Sequence, residues 1–202
     1  MALTFWYDFA SSYSYLTAMR FEEAARKAGV AATWRPFLLG PIFQDAGYDG
    51  SPNLVAPSKA AYMWRDIKRR AESRGVDFFK PDVFPQRSVA ACRAAIAVSE
   101  ANRPALTRAI FTQSFGRNRD IADPAVIADA ARDAGLDADA VVASTKDSAV
   151  KQALFDNVAR AREVGIFGAP SFETSDGELF WGDDRLEDAL AWEKTGSLPA
   201  GR

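Results

Sequence analysis

Three serines near the start of the chain, Ser11, Ser12 and Ser14, stand where a helix is expected to begin. The aromatic and apolar run from Leu3 to Phe9 predicts a strand, and a helical pattern follows it without a linker. The first turn of a helix presents unpaired N–H groups and a partial positive charge, and a serine hydroxyl adds a further hydrogen-bonding group. This combination suits the binding of an anionic atom that belongs to another molecule.

Composition excludes several classes of function. The chain has 202 residues, with 25 lysines and arginines, 27 aspartates and glutamates, and no histidine. The absence of histidine removes Ser-His-Asp and Cys-His catalysis and nearly every common zinc site, so no metal site is expected. The formal net charge of −2 gives no electrostatic basis for binding nucleic acid or an anionic membrane.

The sequence is typical of a cytoplasmic globular protein. Its length allows a sizeable core without disulfides or structural metals. The single cysteine, Cys92, lies in an apolar helical run and is expected to be a buried structural thiol, which fits a reducing compartment. No secretory signal is visible, and no apolar run approaches the ~20 residues of a membrane-spanning helix.

The first elements indicate an α/β protein. A helix is predicted over Ser12 to Ala28, ending at Gly29, and a second strand over Thr33 to Leu39. Two strands joined by a crossover helix are expected to be parallel. Residues 40–57 are rich in glycine and proline, so they are expected to form a loop.

The long middle of the chain carries little but helix signals. Helices are predicted over Ser58 to Arg74, Gln86 to Ala101, Pro104 to Phe115, Asp123 to Ala134, Asp137 to Ser144 and Lys146 to Val164. The end of the chain returns to strands, because Pro170 to Thr174 and Glu178 to Trp181 flank an Asp-Gly turn in a hairpin pattern. A last helix is predicted over Arg185 to Lys194.

Three blocks of sequence carry a resemblance to a known family. They are Asp8 to Leu16, Ser51 to Asp66, and Gly165 to Phe172 followed by Phe180 to Leu186. In this order they resemble the 2-hydroxychromene-2-carboxylate isomerases and the related kappa-class glutathione transferases. Both are thioredoxin-fold proteins of the bacterial disulfide-oxidoreductase type. The resemblance implies an α/β, thioredoxin-like fold over residues 1–40 and 165–202, with a large all-helical insertion over residues 41–164.

The first block carries the serines. Asp8-Phe9-Ala10-Ser11-Ser12-Tyr13-Ser14-Tyr15-Leu16 follows the family pattern Asp-Phe-x-Ser-Pro-Tyr/Phe-Ser-Tyr-Leu. The resemblance implies that Ser11 is the catalytic serine, which hydrogen-bonds the sulfur of bound glutathione and stabilises its thiolate. Thioredoxin-like proteins carry Cys-x-x-Cys at the positions of Ser11 and Ser14, so disulfide exchange is nearly excluded here. Without the resemblance, helix capping is the favoured explanation of these serines.

The second and third blocks supply further glutathione ligands by the same resemblance. They are Asn53 and Lys59 from the second block, and Ala169, Pro170, Trp181, Gly182, Asp183 and Asp184 from the third. Ala169 presents its backbone to the cysteine part of glutathione, Pro170 is a cis-proline facing the serine, and Asp184 receives the γ-glutamyl ammonium. Asp183 replaces the asparagine of the family pattern. Taken alone, Asn53 is a turn residue, Lys59 a solvated cation, and Gly-Asp-Asp an ordinary helix cap.

A second set of residues is implied to contact the substrate: Phe43, Gln44, Asn53, Trp64, Phe84 and Arg87. The aromatic members suit a bicyclic aromatic ring, and Arg87 or Lys59 suits a carboxylate. The same aromatic residues are about as consistent with a place in the core.

The resemblance as a whole implies a homodimeric, glutathione-dependent isomerase of aromatic catabolism that converts 2-hydroxychromene-2-carboxylate to trans-o-hydroxybenzylidenepyruvate. Two alternatives stay open. One is a kappa-like transferase that conjugates glutathione to electrophiles with the same thiol-activating residues. The other is a non-catalytic thioredoxin-fold protein that binds thiols or peptides.

Overall fold

Four strands form one mixed sheet in the computed structural model, which describes residues 1–52 and 55–198. They are β1 (Ala2–Tyr7), β2 (Ala31–Pro36), β3 (Ser171–Glu173) and β4 (Leu179–Trp181). The strand order is β2-β1-β3-β4, in which β1 is parallel to β2 and antiparallel to β3, and β4 is antiparallel to β3. This topology confirms the thioredoxin-like α/β fold expected from the sequence.

Ten α-helices accompany the sheet in the described residues. They are α1 (Ser12–Ala18), α2 (Phe21–Ala28), α3 (Leu39–Asp45), α4 (Pro57–Ser73), α5 (Val89–Ala97), α6 (Arg103–Phe111), α7 (Pro124–Asp133), α8 (Ala138–Ser144), α9 (Ser148–Val164) and α10 (Leu186–Thr195). The first two connect β1 to β2, and α3 to α9 lie between β2 and β3. The expected helical stretch is therefore present, whereas its limits as a domain, residues 41–164, stay a prediction.

The prediction of a single helix over Ser12 to Ala28 is wrong, because α1 and α2 are separate helices. Arg20, between them, has φ −128° and ψ −13°, outside the helical range. Its Nε donates to Asp183 Oδ1 at 3.3 Å, and its terminal nitrogens donate to the Asp183 carbonyl and to Glu187. The break accompanies a contact with the far end of the chain, which the local sequence does not reveal.

The segment 40–57 is not entirely a loop, because α3 occupies its first part. The Gly40-Pro41 pair predicts a turn, but proline is tolerated in the first turn of a helix. Leu39 and Ile42 on this helix are buried, and the Leu39 N–H donates to Asp8 Oδ2 at 2.7 Å. Burial and this long-range hydrogen bond stabilise the start of the helix.

Two further helices depart from the predicted limits. α5 begins later than expected, because the Gln86 side chain bonds the Ile121 N–H and the Arg119 carbonyl outside any helix. It ends at Ala97, since the next residue is extended. The end of the helix predicted over Pro104 to Phe115 forms a π-helical turn, Thr112–Gly116, in place of regular α-helix.

The core is built around Phe5 in the central strand. Its side chain is fully buried, and its ring centroid lies 5.0–5.7 Å from those of Tyr7, Phe21, Trp34 and Phe172. These partners come from β1, α2, β2 and β3, so one side chain joins three strands and a helix. Aromatic pairs at such distances contribute beyond the area they bury.

The same buried cluster continues into the helices between β2 and β3. It includes Ile67 on α4, Leu106 on α6 and Ile127 on α7. Cys92 on α5 is buried, as predicted, and burial together with nearby Asp8 raises the pKa of its thiol well above the usual value. Such a thiol is unreactive at neutral pH. None of the helices in the described part of the chain is long and apolar enough to span a membrane.

We expect Phe5→Ala to lower the free energy of unfolding by about 3–5 kcal/mol, because it leaves a cavity among four packed rings. The matched control is Phe155→Ala on α9, where the side chain is 63% exposed and the change is expected to stay within about 0.5 kcal/mol. Urea titration followed by circular dichroism measures both. Equal losses in the two variants would contradict this description of the core.

Candidate active site

Ser11 is the N-cap residue of α1 and lies next to the segment that leads into β3. Its Oγ accepts a hydrogen bond from the Ser14 N–H at 3.2 Å, which caps the helix. The same hydroxyl donates to the Ala169 carbonyl at 2.8 Å. Its side chain is nearly buried, so water competes little with a partner there. The structure therefore joins the first and third sequence blocks at one hydroxyl group.

Several backbone N–H groups beside this hydroxyl have no acceptor within residues 1–52 and 55–198. They belong to Ser12 and Tyr13 in the first turn of α1 and to Ala169. Because α1 has only seven residues, these groups act as individual donors rather than through a long helix dipole. The Ala169–Pro170 peptide bond is cis.

Aromatic rings form the rim next to Ala169. Trp181 lies against Gly168 so closely that a Cβ on that residue would come within 2.4 Å of the indole Nε1. A side chain at this position would displace the indole. The Phe167 ring packs edge-on against Trp181 at 4.9 Å, and both side chains are more than half exposed. Sequence reasoning missed Phe167 and Gly168, although a glycine beside the Ala-Pro pair was the available signal.

The two neighbouring aspartates have different environments. Asp183 is buried, and its carboxylate accepts hydrogen bonds from Thr17, from Arg20 at 3.3 Å and from Arg74 at 2.7 Å. It fixes the segment after β4 against α1 and α4. The Asp184 side chain is 55% exposed, and its nearest ion-pair partner, Arg185, is 3.9 Å away. Asp184 is therefore the aspartate that a ligand can reach.

A cavity of about 1060 Å³ opens beside Ser11. It brings together eight of the residues predicted to bind glutathione or substrate: Ser11, Phe43, Gln44, Lys59, Phe84, Arg87, Ala169 and Trp181. Its size is at the upper end for a small-molecule site, which leaves room for more than one ligand. These eight proposed cofactor and substrate residues thus share one space.

The other predicted site residues are placed differently. Asn53 lies outside the described residues. Trp64 does not line the large cavity but packs edge-on against Phe84 at 4.7 Å, and it lines a shallower cavity with Lys80. Pro170, Gly182, Asp183 and Asp184 also do not line the large cavity. Gly182 has φ +117°, which favours glycine, so it shapes the backbone before Asp183 and Asp184.

Asp8 is a buried carboxylate in the wall of the cavity, and sequence reasoning gave it no role. Its oxygens accept hydrogen bonds from the N–H groups of Ala10 and Leu39, and the nearby Ser88 hydroxyl also favours the charged form. Burial raises its pKa, and these donors oppose the rise. Its position at the end of β1 was the available signal.

The cavity wall is rich in cations. Lys59, Arg87, Arg93 and Lys146 line it, and none forms an ion pair with a described residue. Its acidic lining residues are the buried Asp8 and the exposed Asp49. Sequence reasoning missed Arg93 and Lys146. A cavity with these charges favours anionic ligands, in contrast to the negative net charge of the whole chain.

Comparison with known proteins places these features in a family. The sequence model of the DSBA-like thioredoxin domain matches residues 2–191. A 2-hydroxychromene-2-carboxylate isomerase from Sphingobium xenophagum is 29% identical over 188 residues, covering 92% of this chain and 94% of that protein. Glutathione S-transferase kappa 1 from Homo sapiens is 29% identical over 201 residues, covering 90% of this chain and 85% of that protein.

A solved structure of 2-hydroxychromene-2-carboxylate isomerase has the same fold, with a TM-score of 0.80 and 24% sequence identity. The similarity covers 92% of this chain and 91% of that one. Because the family match extends over nearly the whole sequence, the chain belongs to the DSBA-like thioredoxin domain family.

Proposed function

We propose that this protein is a glutathione-dependent isomerase that converts 2-hydroxychromene-2-carboxylate to trans-o-hydroxybenzylidenepyruvate. The observation that carries the proposal is the Ser11 hydroxyl beside the Ala169 backbone in a cation-lined cavity. Relatives of similar length with the names of this isomerase and of a glutathione transferase support it. A homodimer in the cytoplasm, acting in aromatic catabolism, is part of the same proposal.

The groups around Ser11 fit an anionic thiol peptide. A serine hydroxyl and the free Ala169 N–H suit a thiolate and a peptide carbonyl, and the Ala169 carbonyl suits a peptide N–H. Lys59 suits a carboxylate and Asp184 the γ-glutamyl ammonium. Asn53 is retained as a ligand by resemblance. Pro170, Gly182 and Asp183 shape the backbone that presents these groups, and Trp181 forms the wall.

Ser11 can serve the helix and the ligand at the same time. Its oxygen accepts the capping hydrogen bond from the Ser14 N–H, which does not use the hydroxyl proton. That proton points to the Ala169 carbonyl, and a rotation about the Cβ–Oγ bond redirects it to a bound sulfur atom. A nearly buried donor stabilises an anion more than a solvated one, so it lowers the pKa of a bound thiol.

The chain's own residues then orient the substrate and stabilise charge. Glutathione, when bound, would supply a nucleophilic thiolate for the isomerisation and would be regenerated at its end. Phe43 and Phe84 pack against the aromatic ring, and Trp64 supports Phe84 from behind. Gln44 and Arg87 contact the polar edge of the substrate.

A kappa-like glutathione transferase is the second candidate. It is favoured by the human kappa-class relative, whose identity to this chain equals that of the isomerase relative. Both candidates need the same thiolate site, and they differ in the molecule that accepts the sulfur. A non-catalytic thiol-binding protein is the third candidate.

We expect Ser11→Ala to lower the turnover of 2-hydroxychromene-2-carboxylate by about 100- to 1,000-fold, since it removes a hydrogen bond to the developing anion. The loss of the cap is expected to cost about 1 kcal/mol of stability, which leaves the protein folded. Turnover is followed by absorbance at saturating glutathione.

The matched control is Ser14→Ala, three positions further along α1. Its hydroxyl is buried with no hydrogen-bond partner in the described residues, so its removal is expected to change turnover less than threefold. A loss below threefold in Ser11→Ala, with glutathione affinity intact, would contradict the role of Ser11.

The two enzymatic candidates are separated by their acceptors. With glutathione present, we expect isomerisation of the chromene carboxylate without net loss of thiol, because the sulfur leaves again. Thiol titration and absorbance measure both quantities in one reaction. Turnover of 1-chloro-2,4-dinitrobenzene with stoichiometric thiol loss, and none of the chromene, would favour the transferase. Absence of glutathione binding by calorimetry would favour the non-catalytic protein.

Replacing each of the adjacent aspartates by asparagine is expected to affect a different property of the protein. Asp183→Asn should cost about 2 kcal/mol of unfolding free energy, because it leaves the partly buried charges of Arg20 and Arg74 without their counter-charge. Asp184→Asn should leave stability within about 0.5 kcal/mol but weaken glutathione binding by about tenfold, through loss of a charge-assisted hydrogen bond. Urea titration and calorimetry measure the two effects. Equal stability losses would show that both residues are structural.

A further inference from the structure

Arg93 differs from the other arginines that are shielded from solvent. It lies on α5, lines the cavity and is partly buried, and its Nε is inaccessible to solvent. This nitrogen has no hydrogen-bond partner among the described residues, and the guanidinium forms no ion pair with them. Leaving such a group unpaired costs free energy, so a partner is expected from outside the chain.

A nearby arginine shows how the fold satisfies a guanidinium that only supports structure. Arg103, at the start of α6, donates to the carbonyl oxygens of Ala95 at 2.9 Å and Trp34 at 3.2 Å. Arg74 reaches Asp183 at 2.7 Å. Arg93 has no comparable acceptor in the described residues, so its charge is directed toward a ligand rather than toward the fold.

The surroundings of Arg93 reinforce this positive charge. Arg87 precedes α5 and Lys146 follows α8, the helix that packs against α5, and both line the cavity without an ion-pair partner in the described chain. The buried acidic residue of the wall, Asp8, already accepts hydrogen bonds from two backbone N–H groups. This end of the cavity can therefore take an anionic group.

The position of this end indicates which ligand occupies it. The groups proposed to bind glutathione come mainly from the turn after β1, the segment before β3 and the residues after β4. Arg93, Arg87 and Lys146 come instead from α5 and the end of α8, and the rings of Phe43 and Phe84 line the same cavity. An aromatic molecule with a carboxylate matches both the rings and the cations.

We propose that the α5 end of the cavity is a carboxylate subsite for the aromatic substrate and that Arg93 determines its specificity. The inference rests on the proposed function, because that function places glutathione at Ser11. The planar guanidinium binds the carboxylate through charge-assisted hydrogen bonds, and Arg87 and Lys146 add to the attraction.

The test uses two aromatic probes that differ in charge, trans-2-hydroxycinnamate and its neutral amide. Both are titrated into the wild-type protein by calorimetry, with and without glutathione. We expect the carboxylate to bind at least about tenfold more tightly than the amide. In Arg93→Met we expect the carboxylate to bind about tenfold more weakly than in the wild type, while binding of the amide and of glutathione changes less than about twofold.

Two further variants make the comparison specific. Arg26→Met removes a positive charge that is exposed on α2 and does not line the cavity, so it should change neither probe by more than about twofold. Arg93→Lys keeps the charge but not the planar fork, so it should weaken only the carboxylate, by about threefold or more. This variant also serves if Arg93→Met does not fold.

Several outcomes would overturn the assignment. They are a wild type without preference for the carboxylate, an Arg93→Met variant that loses both probes equally, and a variant that loses glutathione instead. The first outcome would show that the cavity has no carboxylate subsite. The second would show that Arg93 shapes the cavity, and the third that it binds glutathione. Failure of the wild type to bind glutathione would contradict the proposed function, whereas the titrations without glutathione would still decide the role of Arg93.

Discussion

One buried carboxylate, Asp8, holds together the segments that surround the cavity. It accepts hydrogen bonds from Ala10 in the turn before Ser11 and from Leu39 at the start of α3, and the Ser88 hydroxyl, just before α5, lies close enough to lower its pKa. Separating these segments would leave buried donors and a buried carboxylate without partners, which raises the free energy of the protein. The interactions of Asp8 therefore hold the segments together. The turn that carries Ser11 and the walls of the cavity thus share one positioning group. Burial raises the pKa of Asp8, because a buried site disfavours the charged carboxylate.

The Ser11 hydroxyl is positioned by the same interactions that build the fold. The Ser11 oxygen caps α1 and its proton faces the Ala169 carbonyl, so the oxygen is held in place while the proton can turn toward a ligand. Trp181 lies against Gly168 and forms the rim next to Ala169. A site held this way loses little entropy when a ligand binds, which is the condition for strong electrostatic stabilisation.

Local sequence signals predicted the fold well where local interactions decide it. The aromatic strand ending at the serines and the hairpin around Asp176-Gly177 were visible as patterns, and the family resemblance supplied the pairing of Ser11 with Ala169. The break at Arg20 and the helix α3 were not predictable, because contacts with distant residues decide them. Arg93 was missed for a related reason. From the sequence, an arginine in an alanine-rich helix is expected at the surface. Only the structure shows that the Arg93 Nε is buried and has no hydrogen-bond partner in the described residues.

The chain uses its arginines in two contrasting ways, and the contrast separates structural from functional charge. Arg20 and Arg74 converge on Asp183, where the resembling family has asparagine, so the extra negative charge is neutralised within the fold. The cations of the cavity have no such partner in the described chain, although acidic residues are abundant in the sequence. Pairing them would stabilise the protein, and it would also fill the space with charge that repels an anionic ligand. Their unpaired charges give the cavity wall a positive character that favours anionic ligands.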